Sequence, residues 1–163
     1  PHEVRSARLM FNAPFTALVF HGSITFDPLL TPEQMAKEIV ERHGTEGHRR
    51  EIDRLATVIA RLNPYEVPRG LTGGQLIEMH TAEAIRKYSA NGTFEELRFF
   101  EEVFAPDIDP WGFVMCYYPL ITTSRVPYRT RKKFAKFMWD SCLAPSNAAR
   151  PMNKARIAGF LRS

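Results

Sequence analysis

Residues 31–44 read Thr-Pro-Glu-Gln-Met-Ala-Lys-Glu-Ile-Val-Glu-Arg-His-Gly, and their order decides the class of fold. The Thr31 hydroxyl stands where a helix start leaves a backbone N–H without an acceptor. Gln34, three residues on, can reach back to the cap, and Pro32 fills the opening position, where a missing N–H does no harm. Gly44 is a natural stop. The pattern predicts a helix over 32–43. The same box recurs as Thr72 with Gln75 and as Thr93 with Glu96, which predicts helices over about 73–89 and 94–104. Between the first two boxes, Ile52, Leu55, Ile59 and Leu62 recur at helical spacing until Asn63-Pro64, which predicts a helix over about 46–62. Gly73-Gly74 is a costly opening for a helix, so a loose first turn is expected there. The helix carrying Phe94, Leu97, Phe100, Val103 and Phe104 is expected to end before Pro106.

Downstream, Trp111 to Ile121 is apolar throughout. Its length and Tyr/Phe/Val content favour a buried strand, although Pro119 argues against a central one. A further helix is expected over about 128–142, between Pro127 and Pro145. A short last helix in the tail would dock through Ile157, Phe160 and Leu161. Upstream, residues 4–26 read as strand: Val4 to Phe11 up to the turn-prone Asn12-Ala13-Pro14, then Phe15 to Phe20 and Ser23 to Phe26 around His21-Gly22. The expected fold is therefore mainly α, with five to six helices and a small N-terminal β-hairpin. It forms a compact single domain over 1–163: a β-rich element at 1–30, a helical core at 31–143 and a basic tail at 144–163.

Composition agrees. The 163 residues are 44% hydrophobic and include twelve Phe, enough to bury a core, which excludes a globally disordered chain. Two cysteines, Cys116 and Cys142, are too few for a disulfide framework. Both are expected to be buried thiols in a reducing, cytoplasmic compartment. The apolar run at 111–121 is too short and broken to span a bilayer. The first residues lack the charged, apolar and small-residue order of a signal peptide. Pro1 as the first residue is in keeping with a processed or truncated start.

Charge is the functional lead. Of 22 Lys/Arg, ten lie from Arg125 onward, where Asp140 is the single acid; the preceding 124 residues hold twelve bases and seventeen acids. The last 39 residues thus carry +9 and the rest −5. A fold does not require that separation, whereas an anionic partner would explain it. Arg129, Lys132, Lys133 and Lys136 recur at i, i+3, i+4 and i+7, so on a helix they form one stripe, with Phe134, Phe137 and Met138 roughly opposite. A row of backbone phosphates is the natural complement of such a stripe. Arg125, Arg131, Arg150, Lys154 and Arg156 are expected to widen the groove. Tyr128 and Trp139 are expected to lie off the core face and to offer stacking surfaces for bases.

The expected function is non-enzymatic nucleic-acid binding through the phosphate backbone, with single-stranded RNA favoured, by a self-assembling packaging or coat component that forms homo-oligomers. The alternatives are a protein-interaction module whose basic end docks an acidic partner, and a small metal-dependent hydrolase. A second row of arginines, Arg50, Arg54 and Arg61, is accounted for by intrahelical ion pairs with Glu46, Glu51 and Asp53. Six acids between Glu95 and Asp109 surround Arg98 and offer a patch to the basic end of this chain or of a neighbouring copy.

No catalytic constellation of high specificity is present, and no metal or cofactor is expected. His43 and His48 flank a glycine break and do not share a helix face. Gly70 to Gly74 resembles an anion-binding helix start but lacks the lysine of a phosphate loop. Asp107 and Asp109 alone are a weak nuclease-like pair. His80 is expected at a core edge or on the surface.

Overall fold

Helix α1 (Pro32–His43) begins as its capping box requires in the computed structural model, which describes residues 10–21 and 25–162. Gln34 N–H donates to Thr31 Oγ1 at 3.2 Å, and Thr31 N–H donates to Gln34 Oε1 at 2.8 Å. Thr72 and Gln75 repeat the arrangement at the start of α3 (Gly73–Tyr88). Helix α2 (Arg49–Leu62) lies between them and buries Ile52, Leu55, Ala56, Ile59 and Leu62, the face read from the sequence. Helix α3 is the centre of the fold and packs on both α1 and α2.

The two opening glycines of α3 have a packing reason. A Cβ on Gly73 would lie 2.7 Å from the backbone N of Asp53 and 2.9 Å from its Cα, so the two helices cross too closely for any side chain there. The Asp53 carboxylate then accepts the Gly73 N–H at 3.0 Å, and the first turn is not loose.

The third box is not made. Thr93 and Phe94 form strand β2, which pairs antiparallel with β1 (Ser89–Ala90) around Asn91-Gly92, both at positive φ. A hairpin directly after α3 leaves Thr93 paired with Ala90 rather than free to cap, and the next helix starts at Glu96. That helix also runs through Pro106. Helix α4 (Glu96–Phe99) continues as a π-helical stretch (Phe100–Phe104) and then as α5 (Ala105–Met115). The wider turn lies directly before the proline, where a regular turn would press the ring against the preceding carbonyl. Residues 111–121 are accordingly helical, in α5 and in α6 (Tyr118–Thr122), not strand. Their apolar content reflects burial of Trp111, Val114, Met115 and Ile121, and a short apolar run reads the same way for either element.

The expected N-terminal hairpin falls partly on residues 1–9 and 22–24, outside those described. Within the described part, Phe15–Phe20 is a 3-10 helix with all six residues buried, packed against α3 and α1. Its apolar composition serves the core: Phe20 stacks on Phe99 and meets Phe104 edge-on. The described chain is thus mostly helical, and its small antiparallel sheet follows α3.

Helix α7 (Tyr128–Met138) continues as a second π-helical stretch (Trp139–Leu143), and α8 (Lys154–Leu161) ends the described chain, capped by Asn153. Cys142 is buried as expected, but Cys116, at the end of α5, is exposed. His80 is fully buried on α3. Its Nε2 lies 2.9 Å from the Leu143 carbonyl, and its ring sits edge-on to Phe15 and Trp111. Burial holds this imidazole neutral, with its pKa lowered to about 4. No helix of the described residues is long and apolar enough to cross a membrane.

Candidate nucleic-acid interface

Helix α7 is amphipathic because Ala135, Phe137 and Met138 are buried against the core, and the π-helical continuation adds Trp139, Ser141, Cys142 and Leu143. The buried arc is wider than Phe134, Phe137 and Met138 alone imply. It takes in Trp139, which is buried and offers no surface for a base, contrary to its expected place off the core face. Arg131, four residues before Ala135, shares that arc's direction. It is half-buried, with its guanidinium over the Tyr128 ring at 5.9 Å.

The opposite side of α7 forms one wall of an open groove, and α8 forms the other. Tyr128, Arg129, Lys132, Lys133, Lys136 and Asp140 line it from α7 and its continuation, and Arg156 and Phe160 from α8. The floor is aromatic. Phe160 stacks on Phe137 with ring centres 3.9 Å apart and planes 7° apart, and Phe134 meets Phe160 edge-on. Lys133 Nζ lies 5.2 Å from the Phe160 ring centre, a cation–π distance. Tyr128 is 56% exposed at the mouth.

Lys136 and Arg156 are engaged by carboxylates of the described residues. Lys136 Nζ lies 2.5 Å from Glu66 Oε1 and 3.3 Å from Asp140 Oδ2. Its hydrogen bond to Glu66, and then that to Asp140, raises the ammonium pKa above its ordinary value. Arg156 Nη2 lies 2.7 Å from the same Asp140 oxygen. Arg129 and Lys132 are exposed and have no ion pair among the described residues.

The remaining expected contacts lie elsewhere. Arg125 is exposed in the turn before α7. Arg150 folds back onto Asn147 Oδ1 at 2.6 Å. Lys154 is exposed at the start of α8, where its charge acts on Asp107. The structure thus brings Arg129, Lys132, Lys133, Lys136 and Arg156 together with Tyr128, and leaves Arg125, Arg131, Arg150 and Lys154 outside the groove lining. Sequence reasoning missed Glu66 and Phe160 as parts of this site. Asp140, at i+4 from Lys136, was legible as its partner.

The other charged features resolve locally. The intrahelical pair of α2 is Arg49–Asp53; Arg50, Arg54 and Arg61 are exposed. In the acidic stretch, Arg98 is held by Glu95 at 2.8 Å and by Glu102 at 3.0 Å. No ion pair among the described residues joins that stretch to the basic end. Asp107 is buried and accepts the Met152 N–H at 2.8 Å, while Asp109 is exposed, so the two carboxylates do not converge. The anion-binding reading of Gly70 to Gly74 meets an occupied helix start, since Asp53 and Thr72 take its N–H groups. His48 Nδ1 accepts the Phe11 N–H at 3.1 Å, and His43 stacks on His21 at 3.7 Å. No three His, Cys, Asp or Glu side chains converge among the described residues. The chain matches no family model, no curated protein and no solved structure.

Proposed function

We propose that this chain binds single-stranded nucleic acid, RNA foremost, along the α7–α8 groove, through phosphate contacts and without catalysis. The observation that supports the reading is the lining itself: cations from two helices, Arg129, Lys132, Lys133, Lys136 and Arg156, border one groove with Tyr128 at its mouth. Phosphates released of their counterions would lie along the cations, and an unpaired base would stack on Tyr128, which a duplex does not offer. The contacts proposed are of the kind that position a strand and do not read its sequence. The charge separation between the basic end and residues 1–124 favours copies meeting head to tail along a strand, as a packaging component requires.

A salt-titrated anisotropy assay with labelled single- and double-stranded RNA and DNA tests the reading. Single strands are expected to bind best, and log K is expected to fall with log salt at a slope of about −2 to −3.5, for three to five neutralised phosphates. Absence of binding at low salt, or a flat salt response, overturns it. Light scattering with and without RNA tests the assembly, which is expected to grow only when RNA is present.

A further inference from the structure

Asp140 is the single acid among the last 39 residues, and it stands inside the groove. One of its oxygens, Oδ2, takes Lys136 Nζ at 3.3 Å and Arg156 Nη2 at 2.7 Å. The two cations come from different helices and converge on a single anionic oxygen. Both remain half open to solvent, at 51% and 54% side-chain exposure, so an external oxyanion can reach them without the fold opening. Among the described residues no backbone N–H holds the carboxylate; Asn147 donates to the Asp140 main-chain carbonyl instead. An exposed ion pair of this kind is worth little to the fold. A phosphodiester presents the same chemistry, an oxygen anion with a second oxygen to spare, in a polymer whose binding also releases counterions.

We infer that Lys136 and Arg156 form a phosphodiester seat that Asp140 fills in the free protein, so that Asp140 restrains binding until a strand displaces it. The inference rests on the proposed nucleic-acid reading and adds to it a specific subsite and an intramolecular competitor. Glu66, 2.5 Å from Lys136 Nζ, competes from the other side for one of the two cations.

The test compares Asp140→Asn, Glu66→Gln and Glu101→Gln in the whole chain. All three remove one negative charge, but Glu101 is exposed on the π-helical stretch Phe100–Phe104, away from the groove lining. The probes are a labelled oligouridylate and, as a mimic of an acidic protein, a polyglutamate of similar charge. Asp140→Asn is expected to tighten oligouridylate binding about five- to tenfold and to steepen the salt slope by about one, since the seat is then free for a phosphate. Glu66→Gln is expected to give a smaller gain, and Glu101→Gln less than about twofold, as its charge lies far from the strand. Equal gains in Asp140→Asn and Glu101→Gln overturn the seat while leaving the wild-type binding, and with it the broader reading, in place. A gain for polyglutamate as large as that for oligouridylate overturns the phosphate assignment. Failure of wild type and all variants to bind oligouridylate removes the broader reading and this one together. Circular dichroism melting confirms that Asp140→Asn is folded; if it is not, Glu66→Gln alone decides, and no gain over Glu101→Gln overturns the seat.

Discussion

The acidic rod, the continuous helix from Glu96 to Met115, and the basic helix α7 solve inverse problems with the same parts. In the rod, one cation, Arg98, is held between two carboxylates, Glu95 and Glu102, at i−3 and i+4 on its own helix. At the basic end, one carboxylate, Asp140, is held between two cations, of which only Lys136 is local and Arg156 comes from α8. The first arrangement closes on itself, and Tyr88 OH completes it by donating to Glu102 at 3.0 Å. The second joins two helices across a groove and leaves Arg129 and Lys132 with no ion pair among the described residues. A charged helix face is therefore uninformative by itself. What distinguishes the two is whether the opposite charges are supplied within one or two turns of the same helix.

The largest expected effect sharpens that distinction. Reversing Arg129, Lys132 and Lys133 to Glu should weaken oligouridylate binding by about a hundredfold or more and flatten the salt slope, because three phosphate partners turn repulsive. Reversing Arg98 alone should leave binding within about twofold, as anisotropy at matched salt will report.

A second comparison, of the two buried titratable groups His80 and Asp107, can be broken by pH. Desolvation lowers the His80 pKa to about 4, so its contribution to stability is present above the ordinary imidazole range and is lost as pH falls from about 6.5 towards 4. Desolvation raises Asp107 to about 6, outweighing the Met152 N–H bond and the Lys154 charge. Its native state therefore holds a proton that the unfolded state has given up between about pH 4 and 6, and acidification through that window stabilises the fold. The two effects oppose each other. Asp107→Asn keeps an acceptor for the Met152 N–H but removes the opposing term. Its urea-derived stability should then fall on acidification from pH 6.5 to 4 more steeply than wild type, because the His80 loss, on the order of 3 kcal/mol, is no longer offset by Asp107. Parallel pH profiles for the two proteins would reject this account.

Smaller effects follow from how α8 is held. Its buried contact is Ile157, and Phe160 adds the stack on Phe137. Phe160→Ala should cost about 1–2 kcal/mol and raise protease cleavage around residues 151–153, directly before α8. The least effect is expected from Arg98→Ala: its guanidinium pairs at the surface, held by the Glu102 and Glu95 carboxylates, and thermal melting should show no resolvable change. A clear drop in melting temperature would mean that the local clamp carries more of the fold than exposed pairs normally do.

Much of the helical order was legible. Helix α1 occupies the residues its box implied, and α2, α3 and α7 start or stop within a few residues of expectation, because caps, glycine stops and 3.6-residue spacing are local physics. Where expectation failed, contacts outside the pattern being read decided. Thr93 pairs across a two-residue turn instead of capping. Phe15–Phe20 is a 3-10 helix in which every side chain is taken by the core. Pro106 sits within a helix because a π turn makes room before it. His80 is buried because α3 is central, which its neighbours Glu78 and Glu83 conceal.

The candidate site divides the same way. The spacing of Arg129, Lys132, Lys133 and Lys136 determined by itself that these cations share a helix face, because one turn is 3.6 residues whatever surrounds it. Only the tertiary structure decided that Trp139 faces inward, that Arg156 and Phe160 of α8 close the groove, and that Glu66 and Asp140 occupy two of its cations. Those facts depend on how elements far apart in sequence come to lie side by side, and hydrophobic burial, which settles that arrangement, is non-directional and leaves no spacing to be read.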